Sequence, residues 1–300
     1  MVEGQNGLTW PRWKRLAAAA EDLGFAGLYR SDHFTLPWPP DKDSLELWVS
    51  LTWLADHSRR IAFGPLCTPM SFRHPVFTAR MAAAVDDLSG GRMVLGVGAG
   101  WQEREHAMFG FALLGMRERF ARFQEALEVM TRLLSSEKPV SFEGRYYRLR
   151  DAVLLPRPAR LGGPPILVGG RGPTRTLPLA ARYATEWNAS HQTPEAFARL
   201  NGRLDELLGR YGRQRGEMRR SVMTGIVFGR TQAEVEAKLR ARGVEREALR
   251  ARGILVGTAA EIRDQLEALA MAGVQGVMLQ WLDLDDIEGL EALAKILDLI

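Results

Sequence analysis

The chain has 300 residues, 46% hydrophobic and 25% charged, with a net charge of +4. That length and composition allow a large core, and no apolar run reaches what a bilayer requires. The single cysteine, Cys67, excludes an intramolecular disulfide framework and a cysteine-built metal site.

The basic residues are mostly arginines set among acids, as in Leu239–Arg252. This reads as solvated helix surface rather than a nucleic-acid footprint. The N-terminus lacks a basic-then-apolar signal pattern, so the expectation is a cytoplasmic protein with a small-molecule substrate, no nucleic acid and no membrane.

Met1-Val2 is too short for a strand, yet Glu3 to Gly7 reads as the loop after one. Trp10 to Leu23 has helical spacing, with Pro11 suited to a first turn and Gly24 as a stop. Ala26–Arg30 is a strand ending in Ser31-Asp32-His33. Leu45–His57 is helical, and Ile61–Leu66 is a strand followed by Cys67-Thr68-Pro69. His74-Pro75 opens a helix to Leu88. Gly90-Gly91 turns into the run Arg92–Val97, after which Gly98-Ala99-Gly100 leaves the strand end nearly bare.

A long helix spans Arg117–Leu134, and Pro139–Arg150 reads as a hairpin turning at Glu143-Gly144. Strands at Pro164–Val168, Thr185–Ala189, Val222–Phe228 and Val274–Leu279 alternate with helices at 174–183, Pro194–Tyr211, Gln232–Arg252, Thr258–Ala272 and Asp286–Leu299. Alternation implies a parallel sheet sheathed by helices. An open doubly wound sheet and a closed barrel both fit. About seven strands plus the N-terminal stub lie near the eight of a (β/α)8 TIM-like barrel, so the expectation is one barrel domain over residues 1–300.

In such a barrel the site lies at the strands' C-terminal ends. Asp32-His33 is the most chemical pair there: a carboxylate beside an imidazole fixes its tautomer or raises its pKa. Local loop hydrogen bonding explains the pair equally well. Gly169-Gly170-Arg171-Gly172 before a helix suits an anion such as a cofactor phosphate, or a plain turn. Glu105 and His106 either face the site or cap the short helix after Gly100, the cap being the plainer reading. No metal-ligand spacing, nucleophile elbow or P-loop occurs. Without a protein-supplied nucleophile, a cofactor is expected to carry the chemistry.

The succession Ser31-Asp32-His33-Phe34, RIAFGPLCTP, FRHP, DLSGGRMVLGVGAGW, PPILVGGRGP and ATEWNA resembles the luciferase-like monooxygenase superfamily, nearest its coenzyme F420-dependent oxidoreductase branch. The resemblance covers nearly the whole chain and is thinnest over residues 200–253. It implies a TIM-like barrel with a deazaflavin, or alternatively FMN, in its mouth. It also implies a non-prolyl cis peptide at the third strand's end, here Leu66–Cys67 with Thr68 beside it. Asp32 and His33 match residues near the ring, with His33 moving the proton and Asp32 orienting it. Gly98 and Gly100 match the strand-four turn, and Gly169, Gly170, Arg171 and Gly172 the phosphate turn.

Three activities follow as alternatives: F420-dependent hydride transfer to a small organic substrate, an FMN-dependent monooxygenase reaction using O2, or a non-catalytic flavin-binding barrel. Two departures stand out. Only Met1-Val2 precede Glu3, so the first strand reads as truncated, in the record rather than in the protein. Sugar-phosphate dehydrogenases of the family carry glutamate after the glycine turn, where this chain has Trp101, and lysine is scarce. Trp38 and Trp101 instead suggest an aromatic substrate pocket. Family members are often dimers, so a homodimer is an expectation of the resemblance alone. An apolar C-terminal helix face (Leu290, Leu293, Leu297) would serve it or pack on the barrel.

Overall fold

A computed structural model describes residues 1–297. Its parallel strands are β1 (Gly27–Arg30), β2 (Ala62–Pro65), the short β3 (Thr68–Pro69) and β4 (Leu95–Gly98). After an antiparallel hairpin, β5 (Val140–Glu143) and β6 (Arg148–Ala152), come β7 (Ile166–Gly169), β8 (Glu186–Ser190), β9 (Arg219–Phe228), β10 (Leu255–Gly257) and β11 (Gly276–Gln280).

The barrel circuit runs β1-β2, then through the Phe63–Met93 bridge to β4, and on through β7, β8 and β9 to β11. Val2 closes it, bridging Arg30 on one side and Trp281 on the other. The Val2 N–H donates to the Tyr29 carbonyl at 2.8 Å, and the Trp281 N–H to the Met1 carbonyl at 2.9 Å. Met1-Val2 thus serves as the first stave. Toward the N-terminal ends of β1 and β11 that stave is short, and an apolar cavity of about 300 Å3 lies there, lined by Leu16, Ala20, Phe25, Leu28, Val277 and Leu293 among others.

Parallel strands covered on both faces need apolar side chains throughout, and β4 and β7 meet that with LGV and ILV fully buried. Tyr29, Leu66 and Leu167 pack with Met223 and Met278 in one cluster distinct from the larger core. At Gly64 and Gly96 a Cβ would strike the carbonyls of Val94 and Pro65, so only glycine lets these staves close. Outside, α1 (Trp10–Asp22) buries Trp13, Leu16, Ala17 and Ala20 at helical spacing and has Pro11 in its first turn. In α3 (Pro75–Leu88), His74 is the N-cap. No helix among the described residues is long and apolar enough to cross a membrane.

Four expectations differ from the structure. Arg92 does not extend β4; its guanidinium instead bonds the Ala55, Ser58 and Ile61 carbonyls and the Ser58 hydroxyl, pinning the loop before β2. The 232–252 segment is two helices, Gln232–Arg242 and Arg246–Ala251, broken where Gly243 takes φ 61°. β10, read as loop, pairs with the last three residues of β9. A three-residue strand is too short to display a period. The last helix runs Ile287–Ile296, and its Leu290 and Leu293 are buried, which leaves no exposed face there; Leu299 lies outside the described residues.

Candidate active site

Three strand ends expected at the mouth converge on Cys67. A Cβ at Gly169 would strike its sulfur, and a Cβ at Gly98 would lie 3.5 Å from its Cβ. The Leu66–Cys67 peptide is cis. Burial pushes the Cys67 thiol up to about 12, so it stays protonated and is no nucleophile. Gly100, at φ 86°, passes so close to Ser71 that any side chain would collide.

His33 sits at the mouth, just beyond β1, with 15% of its side chain exposed. The expectation that Asp32 orients it is corrected by the geometry. Asp32 is buried and takes a bidentate pair from Arg73 (3.0 and 2.7 Å) and a hydrogen bond from the Thr68 hydroxyl at 3.0 Å. Arg73 also bonds Glu46 at 2.8 Å. Asp32 makes no hydrogen bond to His33.

The carboxylate that holds His33 is Glu105, 1% exposed, whose Oε1 lies 2.8 Å from His33 Nδ1. Its Oε2 accepts the Phe34 N–H at 3.1 Å. Burial alone would lower the imidazole pKa; the hydrogen bond and charge of Glu105, with the charges of Glu3 and Asp32, together more than offset it, and the pKa is raised above its ordinary value. Facing the site is the second of the two readings the sequence allows for Glu105. Only the tertiary approach of the short helix Glu103–Met108 to the loop after β1 reveals its partner.

That helix is tied to the loop by several bonds. Gln102 donates to the Thr35 carbonyl at 2.9 Å, and Arg104 forms a bidentate pair with Asp41 (2.6 and 2.7 Å). His106 bridges the Gln102 carbonyl and the Ser71 hydroxyl. The ring of Trp101 meets His33 edge-on at 5.5 Å, while Trp38, also expected in the pocket, is 76% exposed and makes no ring contact with His33.

Across the mouth, Gly169 to Gly172 lead into the helix Thr176–Tyr183, whose first two N–H groups reach the Gly172 carbonyl. The Arg171 and Arg175 side chains are exposed and form no hydrogen bond or ion pair among the described residues. His191, one residue past β8, has φ 48°, and its Nδ1 is buried without a hydrogen-bond partner among the described residues. Burial, then the charge of Arg252, lowers its pKa. Sequence reading stopped one residue short of it. No cluster of metal-ligating side chains occurs among the described residues.

A parallel barrel thus brings bare glycine turns, a polarised imidazole and unpaired arginines to one mouth. The luciferase-like monooxygenase family model matches residues 2–244, and the chain belongs to that family. It is 33% identical over 223 residues (70% of this chain, 64% of the relative) to an F420-dependent glucose-6-phosphate dehydrogenase of Intrasporangium calvum. It is 35% identical over 178 residues (58% and 47%) to an F420-dependent hydroxymycolic acid dehydrogenase of Mycobacterium tuberculosis. The chain thus spans about half to two thirds of the length of these curated relatives. An F420-dependent secondary alcohol dehydrogenase structure superimposes with TM-score 0.86 at 20% identity, covering 100% of this chain and 98% of that one. That likeness establishes the fold.

Proposed function

We propose that this chain is a coenzyme F420-dependent oxidoreductase that moves a hydride between the deazaflavin and a small organic substrate. The observation that carries the reading is the buried Glu105 holding His33 at the barrel mouth, beside bare strand ends. The residues present fit the cofactor. Gly98, Gly100, Gly169, Gly170 and Gly172 leave backbone open to a flat ring and a phosphate, Leu66, Cys67 and Thr68 form the wall behind, and Arg171 supplies unpaired charge. The His191 nitrogen offers further polar capacity on the same side.

When bound, the deazaflavin supplies a two-electron hydride carrier. His33 holds or takes the accompanying proton at Nε2, because Nδ1 is committed to Glu105. Asp32 positions rather than reacts: pinned by Arg73 and Thr68, it fixes the backbone from which His33 projects. Trp101 limits the approach of water to the imidazole.

The experiment is a fluorescence titration of the apoprotein with F420 and, separately and anaerobically, with reduced FMN. Tight binding of F420 alone is the expected result. Preference for reduced FMN, with O2 consumed in step with turnover, would move the protein to the monooxygenase reading. Binding of neither would leave a non-catalytic barrel.

A further inference from the structure

We infer that the rim of the barrel mouth docks on an anionic lipid layer, seated through the segment 107–116. That segment, AMFGFALLGM, runs ten residues without a charge. It joins the short helix Glu103–Met108 to the long helix Met116–Ser135. Met108 is 51%, Phe109 50%, Phe111 37% and Met116 51% exposed. Trp101, just before the short helix, is 58% exposed. Trp38 is more open still, in a loop that Gln102 and Arg104 bond to the same helix. Single exposed apolar side chains are ordinary, whereas a run of them around an opening marks a contact surface.

The run is held open by its anchors. The Phe34 ring lies 4.9 Å from Phe109 and 6.0 Å from Phe111, and Phe72 lies 5.3 Å from Phe111. Arg119 donates to the Leu114 carbonyl at 3.0 Å and to the Gly100 carbonyl at 3.1 Å. The Phe111 N–H donates to the His106 carbonyl at 2.8 Å. A surface ordered before contact gives up little conformational freedom on docking. Methionine, unbranched and adaptable, fits uneven space such as that among acyl chains.

Charge selects the partner. Arg117 directly follows the run, and Arg171 and Arg175 stand across the mouth. All three are exposed and form no hydrogen bond or ion pair among the described residues. The acids near the rim are mostly engaged: Asp41 with Arg104, Glu46 with Arg73, Glu118 with Arg145 and Glu105 with His33, which leaves Glu103 unpaired. A second copy docked about a two-fold axis would set the free cations against their own kind. Anionic headgroups over acyl chains satisfy both features. The arginines meet the headgroups, and the aromatic and methionine side chains enter the boundary beneath them. No helix among the described residues can cross a membrane, which bears on spanning a bilayer and not on resting against one. Docked in this way, the mouth faces the lipid, and a molecule dissolved among the acyl chains reaches it without crossing water.

The test is co-sedimentation of the full chain, without cofactor, with vesicles of phosphatidylcholine alone and of phosphatidylcholine mixed equally with phosphatidylserine. The parent should partition onto the mixed vesicles roughly 10–100-fold more strongly. Arg117→Gln should lose about 5-fold on the mixed vesicles and nothing on the neutral ones. Met108→Ser/Met116→Ser should lose about 10-fold on both. Brominated phosphatidylcholine in the mixed vesicles should quench tryptophan emission of the parent. Trp38→Phe keeps an apolar ring at the rim, so it should bind like the parent yet lose much of that quenching. Absence of the parent from both pellets overturns the proposal. Equal partition onto the two vesicle types overturns the anionic partner. Binding that the methionine variant retains in full places the contact elsewhere and overturns it too. So does a methionine variant that splits an oligomer in sedimentation velocity, since the rim would then be an interface between copies.

Discussion

The two ends of the barrel differ in kind. The floor holds an apolar cavity of about 300 Å3, lined largely by Leu, Ala, Phe and Val side chains. The mouth has its buried charges fixed in pairs: Asp32 with Arg73, and His33 with Glu105. Empty apolar volume offers only contact, without direction. Fixed dipoles and a positioned proton act on a reaction because they need not reorganise as charge develops. The floor's void is therefore the worse guide to the site, and what identifies the mouth is its polar architecture.

The sharpest way to break this contrast is to remove the proton carrier. His33→Ala should lower substrate-dependent oxidation of reduced F420 by about 10²–10⁴-fold while F420 affinity stays within a few-fold. Stopped-flow oxidation of reduced F420, read beside the binding isotherm, checks both. Full turnover in that variant would end the role assigned to His33. Arg73→Met comes next. It leaves the Asp32 carboxylate buried without its partner, and chemical denaturation should report a loss of about 3–5 kcal/mol. Asp32→Asn added to Arg73→Met should recover part of that loss. If the single variant is as stable as the parent, the pair contributes nothing to holding the mouth.

Much of the mouth was legible in the sequence because strand ends are marked locally. Glycines after apolar runs mark Gly98 and Gly169, and the family resemblance placed the cis bond at Leu66–Cys67, where the structure has it. Pairing across the mouth was not legible. Glu105 lies 72 residues from His33, and nothing in the sequence around Glu103-Arg104-Glu105 says which carboxylate turns inward. Adjacency misled at Asp32-His33, since Asp32 is taken by Arg73 and Thr68 while His33 meets Glu105. Met1-Val2, too short to read as a strand, still closes the barrel, because a stave needs only backbone bonds to both neighbours and Val2 has them. The chain's last third was read well where helices were long, and poorly where Gly243 and the three residues of β10 cut the pattern.

Glu105→Gln should sharpen the mouth's side of the comparison with a smaller effect. The His33 pKa is raised, so the pair's stabilisation is fully present below the ordinary imidazole value and is lost as pH rises through the raised one. The stability gap between parent and variant should accordingly be wider at pH 6 than at pH 9. In substrate reduction by reduced F420 the alkaline limb of kcat should move to lower pH in the variant, because His33 gives up its proton sooner. An unmoved limb would show that another group titrates there.

The smallest effect belongs to the floor. Ala20 is a buried residue of α1 that lines the cavity, and Leu has nearly the same helix propensity. Ala20→Leu adds three carbons to space that holds no protein atoms. Transfer alone would stabilise by about 2 kcal/mol, and rotamer entropy lost on burial reduces this to about 1 kcal/mol. A thermal melt should rise by a few degrees, while F420 affinity stays unchanged. Destabilisation would mean that the cavity walls already close on one another in solution. A fall in F420 affinity would matter more: it would couple floor to mouth through the Tyr29 and Met278 side chains that pack between them, and the two ends would no longer be independent.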